Sequence, residues 1–225
     1  MSPLEIEALL LSVQVALTAI GVSLPLAIFV AWLLARKTFP GKSVLDGIVH
    51  LPLILPPVVV GYVLLVTLGR NGTIGRWLFE TFDITLAFTW KGAAVAAAVM
   101  AFPLMVRAIR LSLEAVDVGL EDAARTLGAS PVRVFATVTL PLASPGVLSG
   151  AVLGFARALG EFGATITFVS NIPGETRVIS IAVYEQVETL NYAQAHQLSA
   201  GLLVFSFVVL LVVYAGNKRA PIRLA

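Results

Sequence analysis

Few side chains in this sequence are placed to do chemistry, and most of them fall within long apolar runs. Arg157 and Glu161 stand four residues apart in an otherwise uncharged apolar stretch. On one helix they share a face and can pair. A charge at membrane depth is costly and is ordinarily paired or turned toward a cavity. Two readings stay open: Arg157 lends positive potential to an anion's route, or the pair neutralises itself and holds helices or a second copy together. The second is favoured, because a neutralised arginine attracts anions poorly. Thr165, Thr167, Ser170 and Asn171 follow as hydroxyl and amide groups that suit an oxyanion, though a helix end wants such caps anyway. Pro56-Pro57 removes two helical donors within another apolar run, so a kink or break is expected there. Such a break lines a pathway or simply bends a packed bundle. Gly41-Lys42-Ser43 matches the end of a phosphate-binding loop, but Arg36 stands where that loop needs glycine and no strand precedes it. His50 and His196 are the only histidines, there is no cysteine, and no grouping has metal-ligand or triad spacing. Catalysis and metal binding are therefore not expected.

The elements that carry these residues follow from composition. Of 225 residues, 58% are hydrophobic and 12% charged, against about half and a quarter in soluble proteins. A formal charge of +2 does not point to nucleic acid. Five apolar segments, residues 9–34, 44–68, 86–106, 145–169 and 198–214, are each long enough, at roughly 20 residues, to cross the hydrocarbon as helices. The strand-like alternation of a barrel is absent. The chain is read as an all-α integral membrane protein, one domain over residues 1–225, with five to six spans. Glu5 and Glu7 oppose a cleavable leader, so the first apolar stretch is expected to remain as an anchor.

Orientation follows the distribution of lysine and arginine. Arg36, Lys37, Lys42, Arg107, Arg110, Arg125, Arg133, Lys218, Arg219 and Arg223 fall on one side, and Arg70, Arg76 and Arg177 on the other. Ten against three places the N-terminus outside and the C-terminus in the cytoplasm. Trp77 and Trp90 suit an outer aromatic belt and Trp32 an inner one. Lys91, beside Trp90, is expected to snorkel. Residues 71–83 read as an outer loop. Residues 170–197 read as an outer-face loop holding a short packed helix or a re-entrant piece. Gly146, Gly150 and Gly154 form a stripe that permits close helix approach, within one subunit or across a homodimer.

The cytoplasmic segment of about 114–142 holds the most informative stretch, EDAARTLGASPVRVFATVTLP, residues 121–141. Gly128 can end a helix in the left-handed conformation. Ser130 and Pro131 then suit the N-cap and first position of the next, and Leu140-Pro141 is expected to close that second helix. A rigid helix-turn-helix at the membrane face can transmit rigid-body motion.

This stretch resembles the cytoplasmic loop of ABC importer permeases, an Glu-Ala-Ala loop with a downstream glycine and Leu-Pro. Asp122, Ala123 and Ala124 take the Glu-Ala-Ala places beside Glu121. Gly128 takes the glycine, and Val138, Leu140 and Pro141 take the closing Ile, Leu and Pro. The stretches at residues 51–75 and 157–185 resemble molybdate permeases, with sulfate permeases close behind. The resemblance implies a type I importer permease in the cytoplasmic (inner) membrane, working as a homodimer among lipids. It implies docking of the loop on a dimer of cytoplasmic ABC ATPase subunits that hold the ATP and magnesium. It also implies a periplasmic or extracellular binding protein that delivers molybdate or a similar tetrahedral oxyanion. A self-sufficient channel or secondary transporter is the competing class, and it would need coupling residues beyond Arg157 and Glu161.

Overall fold

A computed structural model describes residues 3–217, and these are helical almost throughout. Lys218, Arg219 and Arg223, assigned above to a cytoplasmic tail, lie outside the described residues. The order is α1 Pro3–Arg36, α2 Lys42–Ile54, α3 Pro57–Leu68, α4 Thr73–Phe82, α5 Trp90–Glu114 and α6 Val118–Thr126. Then come α7 Pro131–Val134, a π turn Phe135–Thr139, α8 Leu140–Leu159, α9 Gly163–Val169, α10 Ile179–Glu188 and α11 Tyr192–Asn217.

The centre is α5, packed against α1 and α8. Its alanine-rich face, with Met100, Met105, Val106 and Ile109, is fully covered. Small residues let neighbours approach. A Cβ at Gly150 would lie 3.0 Å from Ile109 Cγ1, and one at Gly154 2.7 Å from Met105 Cγ and 2.9 Å from Ile20 Cδ1. Gly146 abuts Ser112 in the same way. The glycine stripe therefore meets α5 and α1 of its own chain. Lipid offers no hydrophobic drive between helices, so such close packing supplies much of the cohesion.

Among the described residues, three helices are long and apolar enough to cross a bilayer: Glu5–Arg36, Trp90–Glu114 and the continuous run Pro131–Leu159. The segment expected as a second span with a kink or break at Pro56-Pro57 is α2 and α3, bent by 114° at their junction. At about 20 and 18 Å, neither half spans the hydrocarbon alone. The cause is local. Leu55 precedes proline and is extended, with φ −72° and ψ 141°, while Pro57 starts α3 behind Pro56.

The fourth span departs in both directions. It begins earlier than residue 145, because α7, the π turn and α8 form one rod. It also ends earlier than 169, breaking at Gly160–Phe162 before α9. Leu140-Pro141 does not close a helix. The Leu140 amide donates to the Phe135 carbonyl, five residues back. This wider turn relieves the clash a proline ring makes with the preceding turn.

Residues 71–83 are not a plain loop, since Asn71-Gly72 turns into α4 and Asp83 ends it at φ 55°. Within 170–197 the structure holds the ten-residue α10, too short for a sixth span, and α11 starts at Tyr192 rather than 198. Ser12 of α1 caps α10, accepting from the Ile179 amide at 2.7 Å.

Candidate coupling element and helix-break junction

α6 begins where the Asp117 side chain accepts from the Gly119 amide at 2.8 Å. It ends with the Gly128 amide on Arg125 O (2.9 Å) and the Ala129 amide on Ala124 O (3.1 Å). That paired closure puts Gly128 at φ +86° and satisfies the last carbonyls. The Ser130 side chain then accepts from the Arg133 amide, with Pro131 in the first turn of α7. Residues 118–134 are thus two helices joined by a turn whose backbone groups are used.

The acidic pair at the start of the motif divides its labour. Asp122 is exposed and pairs with Arg125 at 2.6 Å. Glu121 is buried and ties three elements together. Its Oε1 lies 2.9 Å from the Arg36 guanidinium and accepts from Thr139 Oγ1 at 3.0 Å, while Oε2 lies 3.5 Å from Arg125. Arg36 also donates to Val116 O at 2.9 Å. One carboxylate thereby joins the end of α1, the segment before α6 and the π turn. Neither Arg36, noted from sequence only as a loop cation and as a mismatch to a phosphate-binding loop, nor Thr139 was a site candidate from sequence. The signal for Arg36 was an arginine closing an apolar run, and Thr139 offered none.

Of the motif residues, Asp122, Ala123, Gly128, Ser130 and Pro131 are exposed, Ala124 is half-buried, and Leu140 and Pro141 lie within the rod. The outer surface carries bare apolar tips, with Leu127 88% and Val132 78% exposed. Such tips beside Arg125 and Asp122 make a compact knob that suits a complementary groove.

A second constellation forms where the two broken helices meet. A Cβ at Gly163 would lie 2.8 Å from Pro57 Cβ, and one at Gly61 2.9 Å from Ala164 Cα and from Thr167 Cβ. α3 and α9 are therefore in backbone contact, and Pro56-Pro57 sits opposite the Gly160–Phe162 break. Glu161 lies in that break, past the end of α8, rather than on the same helix as Arg157. Its Oε2 pairs with Arg157 at 2.6 Å, and its Oε1 accepts the Ala164 amide at 2.8 Å. The Ser180 hydroxyl donates to its backbone carbonyl at 2.7 Å. Glu161 is 2% exposed and Arg157 27%, so the pair is self-neutralised with Arg157 at its accessible edge. Thr165 is covered, on the face α9 shares with Ala164, Phe168 and Val169. It does not face an open path in this conformation.

Outside this junction, the loop before α10 is held by its own polar groups. Arg177 donates to Asn171 and Glu185 (2.9 and 3.1 Å), and Asn171 donates to Glu185 (3.1 Å). Among the described residues no group of histidines and carboxylates is arranged to hold a metal ion.

The chain shows 65% identity over 185 residues to the molybdenum transport system permease protein ModB of Escherichia coli K12, covering 82% of this chain and 81% of that protein. It shows 59% identity over 209 residues to ModB of Haemophilus influenzae, covering 93% and 90%. A more distant relative is the sulfate transport system permease protein CysT of E. coli K12, at 38% over 192 residues, covering 85% and 69%. Among solved structures, a bacterial alginate ABC transporter superposes with a TM-score of 0.73 at 19% identity, over 97% of this chain and 78% of that one. That likeness shows a shared fold. Residues 23–220 match the family model of the binding-protein-dependent transport system inner membrane component. With a compact helical knob fixed to a bundle of broken and continuous spans, this chain belongs to that family of importer permeases.

Proposed function

We propose that this chain carries molybdate across the cytoplasmic membrane as the permease subunit of an ABC importer, powered by ATP hydrolysis on a partner. The observation that carries the reading is the element 118–139, a folded knob locked to α1 through Glu121 and continuous with a membrane-crossing rod. The molybdenum permeases at 59–65% identity support the substrate.

In this reading the knob docks on a cytoplasmic ATPase subunit through its apolar tips and the Asp122–Gly128 surface. ATP and magnesium reside on that partner, since the Gly41-Lys42-Ser43 fragment lacks the rest of a phosphate-binding loop. Two copies flank the path, an external binding protein delivers the oxyanion, and the N-terminus faces outward. Closure of the ATPase pair moves the knobs and shifts the bundle between inward- and outward-facing populations. Pro56, Pro57, Arg157 and Glu161, at the junction of the broken helices, are the candidate path elements. The permease itself makes and breaks no covalent bond.

Uptake by the reconstituted complex tests this. Molybdate accumulation that requires both ATP and the ATPase subunit is expected. Uptake by the purified chain alone would refute the importer reading. The 38% likeness to a sulfate permease favours sulfate as the second substrate reading. Competition among molybdate, tungstate and sulfate separates the two.

A further inference from the structure

Between α1 and the cytoplasmic knob runs an apolar groove of about 290 Å3. Pro25, Phe29 and Trp32 form one wall, and Pro131, Val132 and Phe135 the other. No wall residue is charged. Trp32 packs edge-on against Phe135 at 5.9 Å between ring centres. Phe29 and Val132 are exposed along the opening. At the end of α1, the Lys37 ammonium stands 5.4 Å from the Trp32 ring centre. Lys37 is exposed and makes no ion pair among the described residues, and neither does Arg133, which follows Val132 in the chain.

We propose that this groove seats an acyl chain of an anionic phospholipid whose phosphate meets Lys37. Charge and polarity select this occupant. An indole with a cation at one end of an apolar slot matches the membrane interface, where the ring sits at headgroup level and the lysine reaches outward. Walls without charged groups fit a hydrocarbon chain and leave a free phosphoryl ion nothing to bind. The unpaired ammonium asks for an anion, which a zwitterionic lipid supplies poorly. Because one wall belongs to α1 and the other to the knob, the seated lipid bridges the two elements that Glu121 already joins. Its headgroup then bears on the element proposed to couple ATP to transport. The assignment of this groove to the inner leaflet rests on the orientation proposed above. Binding itself requires neither that orientation nor transport, so a binding assay fails or succeeds independently of both.

The test uses the full chain with Trp77→Phe and Trp90→Phe, leaving Trp32 as its single indole, in phosphatidylcholine nanodiscs. Increasing fractions of lipid with brominated acyl chains are added, and quenching of Trp32 fluorescence is read. Brominated phosphatidylglycerol is expected to quench at a mole fraction about fivefold lower than brominated phosphatidylcholine, the preference of one cation near an anionic surface. Lys37→Gln should abolish that preference while both lipids still quench. Lys42→Gln, which removes a neighbouring cation, should retain it. Equal quenching by the two lipids in the parent overturns the proposal, as does loss of preference in both lysine variants. Absence of quenching by either lipid also overturns it, and means that protein, a second copy or a partner, covers the groove.

Discussion

Glu121 and Arg36, separated by 85 residues of chain, meet in a 2.9 Å ion pair that is almost closed to solvent. The contact fixes the knob of residues 118–139 to the end of the first span. Breaking a buried pair by removing one partner leaves an uncompensated charge, a cost of about 3–5 kcal/mol. Glu121→Gln is therefore expected to loosen residues 118–134, seen as faster amide hydrogen exchange there. Asp122→Asn, which breaks the exposed pair with Arg125, should change exchange little, because such pairs contribute roughly 0–1 kcal/mol. Equal exchange in the two variants would remove the anchoring role of Glu121.

Gly128 sits at φ +86° with open space around its missing side chain. The cost of substitution there is conformational and not steric. Alanine should cost about 1–2 kcal/mol, and proline, fixed near φ −65°, cannot adopt the turn at all. Gly128→Pro is expected to insert normally yet to separate ATP hydrolysis from uptake, with Gly128→Ala intermediate. Measuring both rates in one reconstituted preparation checks this. Coupled transport by the proline variant would detach the turn from coupling.

Gly146→Leu should disturb α8 against α5, since a Cβ there already collides with Ser112. Overpacking costs about 1–3 kcal/mol, read as a lower melting temperature in detergent. Leu148→Ala, on the exposed face of the same helix, should leave the melting temperature nearly unchanged.

Glu161→Gln strands Arg157 and weakens the acceptor for the Ala164 amide. A lowered melting temperature is expected, with part of the loss recovered in the double variant Arg157→Gln/Glu161→Gln. The double-variant cycle should give a coupling of roughly 0.5–3 kcal/mol. Strictly additive losses would show that the 2.6 Å contact contributes nothing as a pair.

Much of this molecule was readable from local sequence grammar. The turn at Gly128, the cap at Ser130 and the start at Pro131 each depend on the residue itself, so they were visible in advance. The apolar runs announced helices for the same reason. What stayed hidden depends on distant partners. The run 145–169 is uncharged apart from Arg157 and Glu161, and on a helix that pair shares a face, so it did not by itself mark a break at Gly160–Phe162. That break becomes intelligible only once Pro57 lies against Gly163 and the Glu161 carboxylate caps the Ala164 amide. Leu140-Pro141 read as a stop because proline usually ends a helix, whereas the π turn just before it makes room for the ring. Thr139 gave no sign at all, since its role exists only beside Glu121.

The π turn carries one more consequence. With no hinge at Pro141, Pro131–Leu159 is a single shaft of 29 residues, roughly 43 Å long at the helical rise. Tilting the shaft by about 10° about its Pro131 end sweeps the far end through about 7.5 Å on that length. The first place the chain can yield is Gly160–Phe162, beside the prolines that interrupt α2 and α3. Leverage applied at the surface is therefore delivered, almost undiminished, to the spot deep in the bundle where two helices are already cut.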